Sequence, residues 1–421
     1  MLNVYAVIIL VALLATFGVE RWADLRNLRA LRQGLPAEFE DVYDRETYER
    51  SQEYSRARLR LGLLTTSVDL VALLLFWWLG GFGRLFRGID LLQWGPIAGG
   101  ILYIGALVVA QWLIGLPFSV YATFVVEERF GFNRTTPATY VADLAKAALL
   151  AVLVGVPVLA AVLAFFTYAG SWAWVYAWVA AVVFSLVMQY VLPIWIMPLF
   201  NRFTPLESGE LHDSIVAYAR GVRFPLSNIL VMDGSRRSTK ANAFFTGFGR
   251  NRRIALFDTL IARHTTPQLV AVVAHEVGHY KERHVLKGLL LSMLHTGVLF
   301  ALLSVFLSQR GLFQAFGVDS PWVAAGLVFF ALLLAPVESV LGLGLQALSR
   351  RHEYQADAYA ARTTGDADSM VAALKILSRD SLSNLTPDPM YVALNYSHPP
   401  VLERIRALRG VAVSPVSAPE R

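Results

Sequence analysis

The chain has 421 residues, of which 56% are hydrophobic and only 16% are charged, and its mean hydropathy is +0.51. Because a soluble globular domain carries about a quarter charged residues, this composition argues against a soluble protein and favours a membrane protein. The sequence contains no cysteine, which excludes disulfides, a thiolate metal site and a cysteine nucleophile.

Seven stretches are apolar and long enough to cross a bilayer, which takes about 20 helical residues. They are residues 2–19, 61–79, 98–117, 145–166, 172–196, 285–307 and 322–345. The first is predicted to be a retained span and not a signal peptide. It has no basic start, and Glu20 and Arg21 follow it where a signal peptide has a small-residue cleavage site. The pattern predicts an all-α membrane bundle of about seven transmembrane helices.

The loops between these stretches differ in their basic residues. The only basic residues in the loop after the second stretch are Arg84 and Arg87, and the only one in the loop after the sixth stretch is Arg310. The first loop is far more basic and contains Arg21, Arg26, Arg29, Arg32, Arg45, Arg50, Arg56, Arg58 and Arg60. Basic loops stay in the cytoplasm, so this bias places the N-terminus outside and the C-terminus inside, and it indicates topology and not a nucleic-acid partner. The Ala-, Leu- and Arg-rich composition favours a bacterial inner membrane.

Four regions follow from this pattern. Residues 1–200 form an N-terminal transmembrane region of five spans with an arginine-rich cytoplasmic loop, and residues 285–348 form two further transmembrane helices. Residues 201–284 and 349–421 remain for cytoplasmic structure, and the chain is expected to end in a disordered tail from about residue 411.

The region 201–284 is predicted to be a small α+β domain. Residues 208–222 have the pattern of an amphipathic helix, and short strands are predicted at 228–232, 241–245 and 254–257. A second helix is expected to start where Thr266 caps it and Pro267 takes its first position. This helix carries the most informative motif of the chain.

The motif is His275-Glu276-Val277-Gly278-His279. Residues four apart lie on one face of a helix, so both imidazoles can bind one metal ion, and zinc takes such ligands in a tetrahedral shell. Glu276 lies next to the first ligand, where its carboxylate can reach a water on the metal and act as general base. The alternative is a helix with two structural histidines, but the apolar turns before the motif indicate burial, and buried histidines beside a glutamate need a partner.

A third ligand is expected in the sequence SRRHEYQADAYA. Glu353 and Asp357 again lie four apart, so Glu353 can coordinate the metal while Asp357 accepts the N–H of a metal-bound imidazole. The alternative is that both carboxylates pair with nearby arginines on a solvated face, namely Arg350, Arg351 or Arg362.

Three motifs in order, HEVGHYKERH, SRRHEYQADAYA and NYSHPPVLERIRAL, resemble those of the type I CAAX prenyl endopeptidases, which are integral-membrane zinc metalloproteases. The span pattern, the segment YERSQEYSRARL and the segment ANAFFTGFG extend the resemblance over nearly the whole chain. The resemblance implies one zinc ion per chain, held by His275, His279 and Glu353, with Glu276 as general base. It also implies a large water-filled chamber, with the peptide cut at its cytoplasmic end.

The resemblance places the segment ANAFF beside the substrate. A strand there would bind an extended peptide through main-chain hydrogen bonds, which makes Asn242, Ala243 and Phe244 candidate substrate-binding residues. The alternative is an ordinary core strand.

Two residues of SHPPVLER match positions that the family places near the scissile bond. His398 and Arg404 would stabilise the oxyanion that forms when an amide is hydrolysed. Alternatively, His398 only ends a loop, and Arg404 pairs with Glu403 or with a helix end.

Several other ionisable residues are weaker candidates. His284 falls five residues after His279, off its helix face, so it is not expected to be a ligand, and His352 is expected to point away from the metal. The spans contain three more, which either line a chamber or pair with one another, namely Asp69, His295 and Glu338.

The sequence thus predicts a membrane zinc metalloendopeptidase that acts on a peptide or protein, prenylated or embedded in the lipid bilayer. One alternative within enzymes is a quality-control protease for membrane proteins. The alternative from another class is a transporter or channel with an inactive metal site, but the paired, Gly/Pro-broken helices of such proteins are not found.

Overall fold

A computed structural model describes residues 3–246 and 252–411. In this part of the chain seven apolar helical stretches are long enough to cross a membrane, and they are Val4–Ala30, Arg45–Trp78, Gly95–Glu127, Pro137–Tyr168, Gly170–Phe200, His284–Phe306 and Val323–Thr364. Each overlaps one predicted stretch, so the predicted bundle is confirmed. The predicted disordered tail, apart from its first residue, and residues 247–251 after the ANAFF segment lie outside the described residues.

The α-helices, numbered in chain order, are α1 Val4–Ala30, α2 Arg45–Trp78, α3 Gly81–Asp90, α4 Gly95–Tyr121, α5 Pro137–Leu150, α6 Val156–Tyr168, α7 Ala173–Val191, α8 Met197–Phe200, α9 Glu210–Gly221, α10 Asp258–Ile261, α11 Thr266–Lys281, α12 His284–Phe306, α13 Arg310–Ala315, α14 Val323–Thr364, α15 Ala367–Asp380, α16 Pro389–Asn395 and α17 Val401–Arg409. Three π-helical turns continue α4, α5 and α7, at Ala122–Glu127, Ala151–Gly155 and Leu192–Ile196. The last two lie beside Pro157 and Pro193, whose missing N–H groups interrupt the regular ladder.

Two membrane helices extend well beyond their apolar parts. Helix α2 begins at Arg45, before the predicted residue 61, and α14 continues to Thr364, past the predicted residue 345. An apolar run marks only the part of a helix that faces lipid, so its polar continuation was missed. Because α14 is continuous, it carries Glu353 and Asp357 on the same helix as its apolar part.

The α+β domain contains one four-stranded sheet. Its strands are β1 Phe203–Pro205, β2 Leu226–Met232, β3 Ala243–Thr246 and β4 Arg252–Phe257, in the order β1-β2-β4-β3. The β2–β4 pair is parallel, and the other pairs are antiparallel. Strand β1 was not predicted, because it has three residues and contains a proline. Strand β3 lies at the edge of the sheet.

Helix α11 starts one residue earlier than predicted. Thr265, not Thr266, is the N-cap, and its backbone N–H donates to Oε1 of Gln268 at 3.0 Å. Pro267 therefore occupies the second helical position. In a capping box the N-cap residue exchanges hydrogen bonds with a Glu or Gln three positions later. Gln268 lies three positions after Thr265, so Thr265 is the residue that caps the helix.

The three polar regions of the chain pack together on one side of the bundle. Phe39 and Tyr43 from the first loop share a buried cluster with Ala271 of α11, Met370 of α15 and Ile405 of α17. At the opposite end of the bundle a second cluster of buried aromatic side chains, which includes Trp77, Phe82, Phe316 and Phe329, joins α2, α3, α13 and α14. The first loop, the sheet domain and the C-terminal region thus form one unit.

Candidate metal centre

Helices α11 and α14 approach each other closely at Gly278. A Cβ atom added there would lie 3.0 Å from Cα of Ala356 and 3.1 Å from its carbonyl oxygen. The glycine of HEVGH therefore lets the backbones approach to a distance that a larger residue would prevent. This contact brings Glu353, one turn before Ala356, to the histidines of α11.

The ligand atoms of the three predicted metal-binding residues converge, all within 4.8 Å of one another. Nε2 of His275 lies 3.2 Å from Nε2 of His279, and Glu353 approaches the two rings at 3.5 Å and 3.3 Å. Among the described residues, the buried Oε2 of Glu353 accepts no hydrogen bond. A buried carboxylate oxygen requires a partner, and two imidazole nitrogens with one carboxylate are a donor set of catalytic zinc sites. The residues therefore fit a metal ion.

Asp357 lies behind His275. Its Oδ1 is 2.8 Å from Nδ1 of His275, and Arg404 donates to both of its carboxylate oxygens, at 2.8 Å from Nε and 2.7 Å from Nη2. Asp357 is 1% exposed, so its charge needs this guanidinium. The predicted contact of Asp357 with a ligand imidazole is present in the structure.

The electrostatic environment of His275 favours positive charge at its ring. Burial lowers the pKa of His275, but the carboxylates of Asp357 and Glu353, which lie 2.8 Å and 3.5 Å from its ring nitrogens, outweigh burial and raise this pKa to about 9. The alternative in which Glu353 and Asp357 pair with a nearby arginine is not seen for Arg350. Nη1 of Arg350 donates instead to the backbone carbonyls of Val392 and Tyr396.

Glu276 is half-buried and faces the same region. Burial raises the pKa of its carboxyl group, while His275 and His279 act in the opposite direction. Within the described residues this carboxylate makes no hydrogen bond or ion pair. It is therefore free to exchange a proton with a substrate or a water.

His398 lies at the open side of the cluster. Its Nε2 is 3.4 Å from Oε1 of Glu353, and 63% of its side chain is exposed. Oγ of Ser397 lies 2.9 Å from Nδ1. A hydroxyl that donates to Nδ1 leaves the ring hydrogen on Nε2, where it points towards the ligands and can meet a substrate oxygen.

Arg404 occupies a more enclosed place than His398. It is 9% exposed, two of its nitrogens are engaged by Asp357, and Nη1 lies 3.6 Å from Oε2 of Glu353. These contacts place its guanidinium behind the ligands. Its predicted role at the oxyanion stays a prediction, and its pairing with Glu403 is not seen, since Glu403 accepts from the hydroxyl of Tyr354.

The predicted substrate strand is shorter than expected and lies at the sheet edge. Strand β3 begins at Ala243 and pairs with β4 on one side only among the described residues. Asn242 precedes it, is exposed, and accepts the backbone N–H of Ala243 at its Oδ1, at 2.8 Å. Phe245 packs into the core, whereas Phe244 contacts Phe257 edge-to-face. The strand thus has an inner core face and an outer edge that can accept a peptide.

The sequence did not predict the part that His284 takes in this site. It is absent from the ligand group, as expected, but its Nδ1 lies 3.1 Å from Nδ1 of His279. The chain turns at Arg283, which has a φ of 58°, and this turn returns His284 to the ring of His279. His352 is not in the ligand group, and its ring stacks on that of His284 at 3.9 Å.

The ionisable residues of the spans are paired. Nε2 of His295 lies 3.0 Å from Oε1 of Glu338, and Nε2 of Gln111 donates to Asp69 at 2.9 Å. Pairing with one another, one of the two expectations, is therefore present for His295 and Glu338 but not, among the described residues, for Asp69.

Two family models match the chain. Residues 24–202 match "CAAX prenyl protease N-terminal, five membrane helices", and residues 205–412 match "Peptidase family M48". Together these matches cover both the membrane bundle and the domain with the ligand cluster.

Similar proteins cover nearly the whole length of the chain. CAAX prenyl protease 1 of Saccharomyces cerevisiae is 34% identical over 94% of this chain and 93% of its own, and its homolog in Arabidopsis thaliana is 34% identical over 93% and 94%. The Homo sapiens homolog is 31% identical over 89% and 88%. A crystal structure of S. mikatae Ste24p superposes with a TM-score of 0.92, at 34% identity over 97% of this chain and 100% of that one. The similarity therefore includes the whole architecture.

Proposed function

This chain belongs to the CAAX prenyl protease 1 family of M48 membrane metalloproteases, and from that premise we propose that its metal is one zinc ion held by His275, His279 and Glu353. The convergence of these three ligand groups, with an unpartnered carboxylate oxygen among them, is the observation that carries the proposal. Zinc held by these residues would supply the Lewis acidity that polarises a carbonyl and lowers the pKa of water. As a peptidase, the chain is not a transporter with an inactive site.

The surrounding residues supply the other parts of peptide hydrolysis. Asp357 accepts the Nδ1–H of His275 and so keeps its Nε2 directed at the ligand cluster. Glu276 takes a proton from the attacking water and delivers it to the leaving amine. His398 donates from Nε2 to the developing oxyanion, because its ring is open to substrate and lies beside Glu353. Arg404 stabilises the same charge at longer range while it holds Asp357.

The substrate is proposed to be a peptide segment at the C-terminus of a prenylated protein. The relatives carry CAAX prenyl protease in their names, which favours this class over general quality control of membrane proteins. Strand β3, with Ala243 and Phe244, binds the extended segment through main-chain hydrogen bonds at its free edge, and Asn242 adds a side-chain contact. The substrate enters through a water-filled chamber between the helices.

The chain is a multi-pass membrane protein, and we propose that its N-terminus lies outside and its C-terminus in the cytoplasm. The arginine-rich first loop packs with the sheet domain and the C-terminal region, so all three occupy one side, and basic loops stay in the cytoplasm. The bacterial inner membrane is a proposal from composition alone, since the relatives named above are eukaryotic.

Metal analysis of purified variants tests the ligand set. The wild type is expected to carry one zinc per chain, and His279→Ala and Glu353→Ala are expected to lose it. Matched controls are His264→Ala, a buried histidine whose one hydrogen bond in the described structure is with the backbone carbonyl of Leu260, and Glu46→Ala, an exposed glutamate in the first turn of α2. Full zinc content in both ligand variants would exclude this site.

A further inference from the structure

A chain of three polar side chains extends from the ligand His279 away from the metal position. Nδ1 of His279 lies 3.1 Å from Nδ1 of His284, and Nε2 of His284 lies 2.9 Å from Oε1 of Gln355. His284 is 5% exposed, so its ring nitrogens are shielded from water. Buried polar groups of this kind are hydrogen-bonded, and here each nitrogen of His284 has a protein partner.

The ligand role of His279 determines which ring nitrogen carries the hydrogen in His279 and in His284. Its Nε2 faces the other ligands, at 3.2 Å from His275 and 3.3 Å from Glu353. A neutral imidazole that offers one nitrogen to a metal carries its hydrogen on the other, so Nδ1 of His279 is the donor to His284. His284 then accepts at Nδ1 and carries its own hydrogen on Nε2. That hydrogen is donated to Gln355, whose amide oxygen can only accept.

We propose that His284, held by Gln355, is a positioning residue that fixes the tautomer and orientation of the metal ligand His279. The inference rests on the proposed function, because it requires His279 to bind metal through Nε2. Metal-bound histidines commonly donate their second N–H to a carboxylate, a carbonyl or water. In this protein the acceptor for His279 is a second imidazole.

The two ligand histidines are therefore held by partners of different charge. His275 donates to the Asp357 carboxylate, which is itself paired with Arg404. His279 donates instead to the neutral imidazole of His284. A neutral acceptor orients the ring without adding another anion to a cluster that already contains Glu353 and Asp357. Gln355 and Asp357 both belong to α14, so one helix orients both histidines.

The position of His284 depends on the break between α11 and α12. In a continuous helix, a residue five positions after His279 would point to a different face. Arg283 instead has a φ of 58°, in the left-handed region that a non-glycine residue rarely adopts. The ring of His352 stacks on that of His284 at 3.9 Å and 12°, which keeps the His284 ring in the plane of its hydrogen bonds.

The test compares His284→Leu with His284→Asn in the full-length protein, with chelator competition for Zn²⁺ as the main measurement. Leucine fills the space but accepts no hydrogen bond, so zinc affinity is expected to fall about 10- to 100-fold, as for other residues that orient ligands. Asparagine offers an amide oxygen near the place of Nδ1, so it is expected to restore most of the affinity. Gln355→Leu is expected to weaken zinc binding by a smaller factor.

A further measurement and a matched control variant separate positioning from general damage. The absorption spectrum of the Co²⁺-substituted protein is expected to shift in His284→Leu and to return towards the wild type in His284→Asn, because it reports ligand geometry. His264→Leu is the matched control, since it removes a buried histidine away from the site and is expected to leave zinc affinity and the spectrum unchanged.

The outcomes distinguish this inference from the proposed function. If His279→Ala keeps its zinc, the ligand set itself is wrong. If His279→Ala loses zinc but His284→Leu binds zinc as tightly as the wild type, the positioning role of His284 is refuted. Equal loss in His284→Leu and His284→Asn, as severe as in His279→Ala, would mean that His284 is a direct ligand, which also overturns the proposal.

Discussion

Arg404 determines how the charges of the metal centre are balanced. Its guanidinium forms two parallel hydrogen bonds with the buried carboxylate of Asp357 and lies 3.6 Å from Glu353. The planar fork of arginine matches a carboxylate in a way that a lysine ammonium does not. Removal of one partner of such a buried pair costs about 3–5 kcal/mol, so Arg404 contributes to folding as well as to the site.

Glu276 is expected to act in chemistry and not in metal binding. Glu276→Gln keeps the size of the side chain but removes the proton acceptor, so hydrolysis of a peptide substrate should fall by at least about a hundredfold. Metal content should be unchanged, because the carboxylate is outside the ligand group. The measurement is turnover of a fluorogenic peptide together with metal analysis of the same sample.

Glu282→Gln is the matched control for this variant, since Glu282 follows the same helix beyond the ligands and should keep normal turnover. A Glu276→Gln protein that hydrolyses the peptide at a nearly normal rate, with contaminating wild type excluded, would contradict the assigned role.

Sequence spacing predicted which residues converge, and it predicted the contact of Asp357 with His275, but it did not predict the contact of His284 with His279. His275 and His279 are one helical turn apart, and this relation is visible in any helical segment. The contact of His284 with His279 depends on the positive φ of Arg283. The segment YKERH contains no glycine or proline from which a turn could be predicted. Such a turn is set by the packing of α11 and α12, so it could not be predicted from local residue preferences.

At the scale of helices, the crossing of α11 and α14 assembles the site. Gly278→Ala is expected to weaken zinc binding and to destabilise the protein by about 1–3 kcal/mol, the usual cost of overpacking. The added methyl group would lie 3.0 Å from Cα of Ala356, so α14 must move away and take Glu353 with it. Zinc affinity and thermal unfolding measure the two effects.

Gly288→Ala is the control for this substitution. Gly288 lies in the neighbouring helix α12, and an added Cβ would meet nothing within 4 Å. This variant should keep its zinc affinity. Wild-type zinc affinity and stability in Gly278→Ala would show that the close approach of the helices is not required.

Among the helices and strands, the largest difference from the sequence prediction is the length of α14. Its apolar half predicted a span, and its polar half predicted a ligand-bearing helix, but nothing indicated that both belong to one helix of 42 residues. Pro336 lies inside it and would usually mark a boundary. The packing of α14 against several other helices maintains its continuity.

At the scale of the whole molecule, the first loop joins the membrane bundle to the C-terminal region. Asp41 accepts from Nζ of Lys375 at 2.7 Å, and Arg26 pairs with Asp388 at 3.0 Å. These contacts, with the buried Phe39, hold the loop to the C-terminal region. All three polar regions must therefore lie on the same side of the membrane.

Single cysteines test which side that is, and the sequence provides a clean background because it has none. Ser208→Cys lies in the metal domain, and Ser171→Cys lies in the turn between α6 and α7. Both serines are exposed. In intact bacterial cells that express the chain, an impermeant thiol reagent should label Ser171→Cys and should reach Ser208→Cys only after lysis. The reverse pattern would invert the proposed orientation.

Substrate selection should depend on membrane access more than on side-chain sequence. Among the described residues strand β3 has main-chain groups at an unpaired edge, and such groups would bind an extended peptide without distinguishing its side chains. A lipid chain gains about 0.8 kcal/mol per CH₂ group buried in the bilayer, so even a few groups raise the local peptide concentration more than tenfold. The Michaelis constant of a prenylated peptide should therefore be at least about tenfold lower, by this partition argument.

The turnover number should be similar for matched peptides with and without the lipid, because the lipid takes no part in the chemistry. Both constants are measured in vesicles and again at rising detergent concentrations. Surface dilution by detergent should reduce the advantage of the prenylated peptide and leave the unprenylated one unaffected. If the unprenylated peptide is not cut even at saturation, the lipid must help to organise the active site, and selection by access alone is wrong.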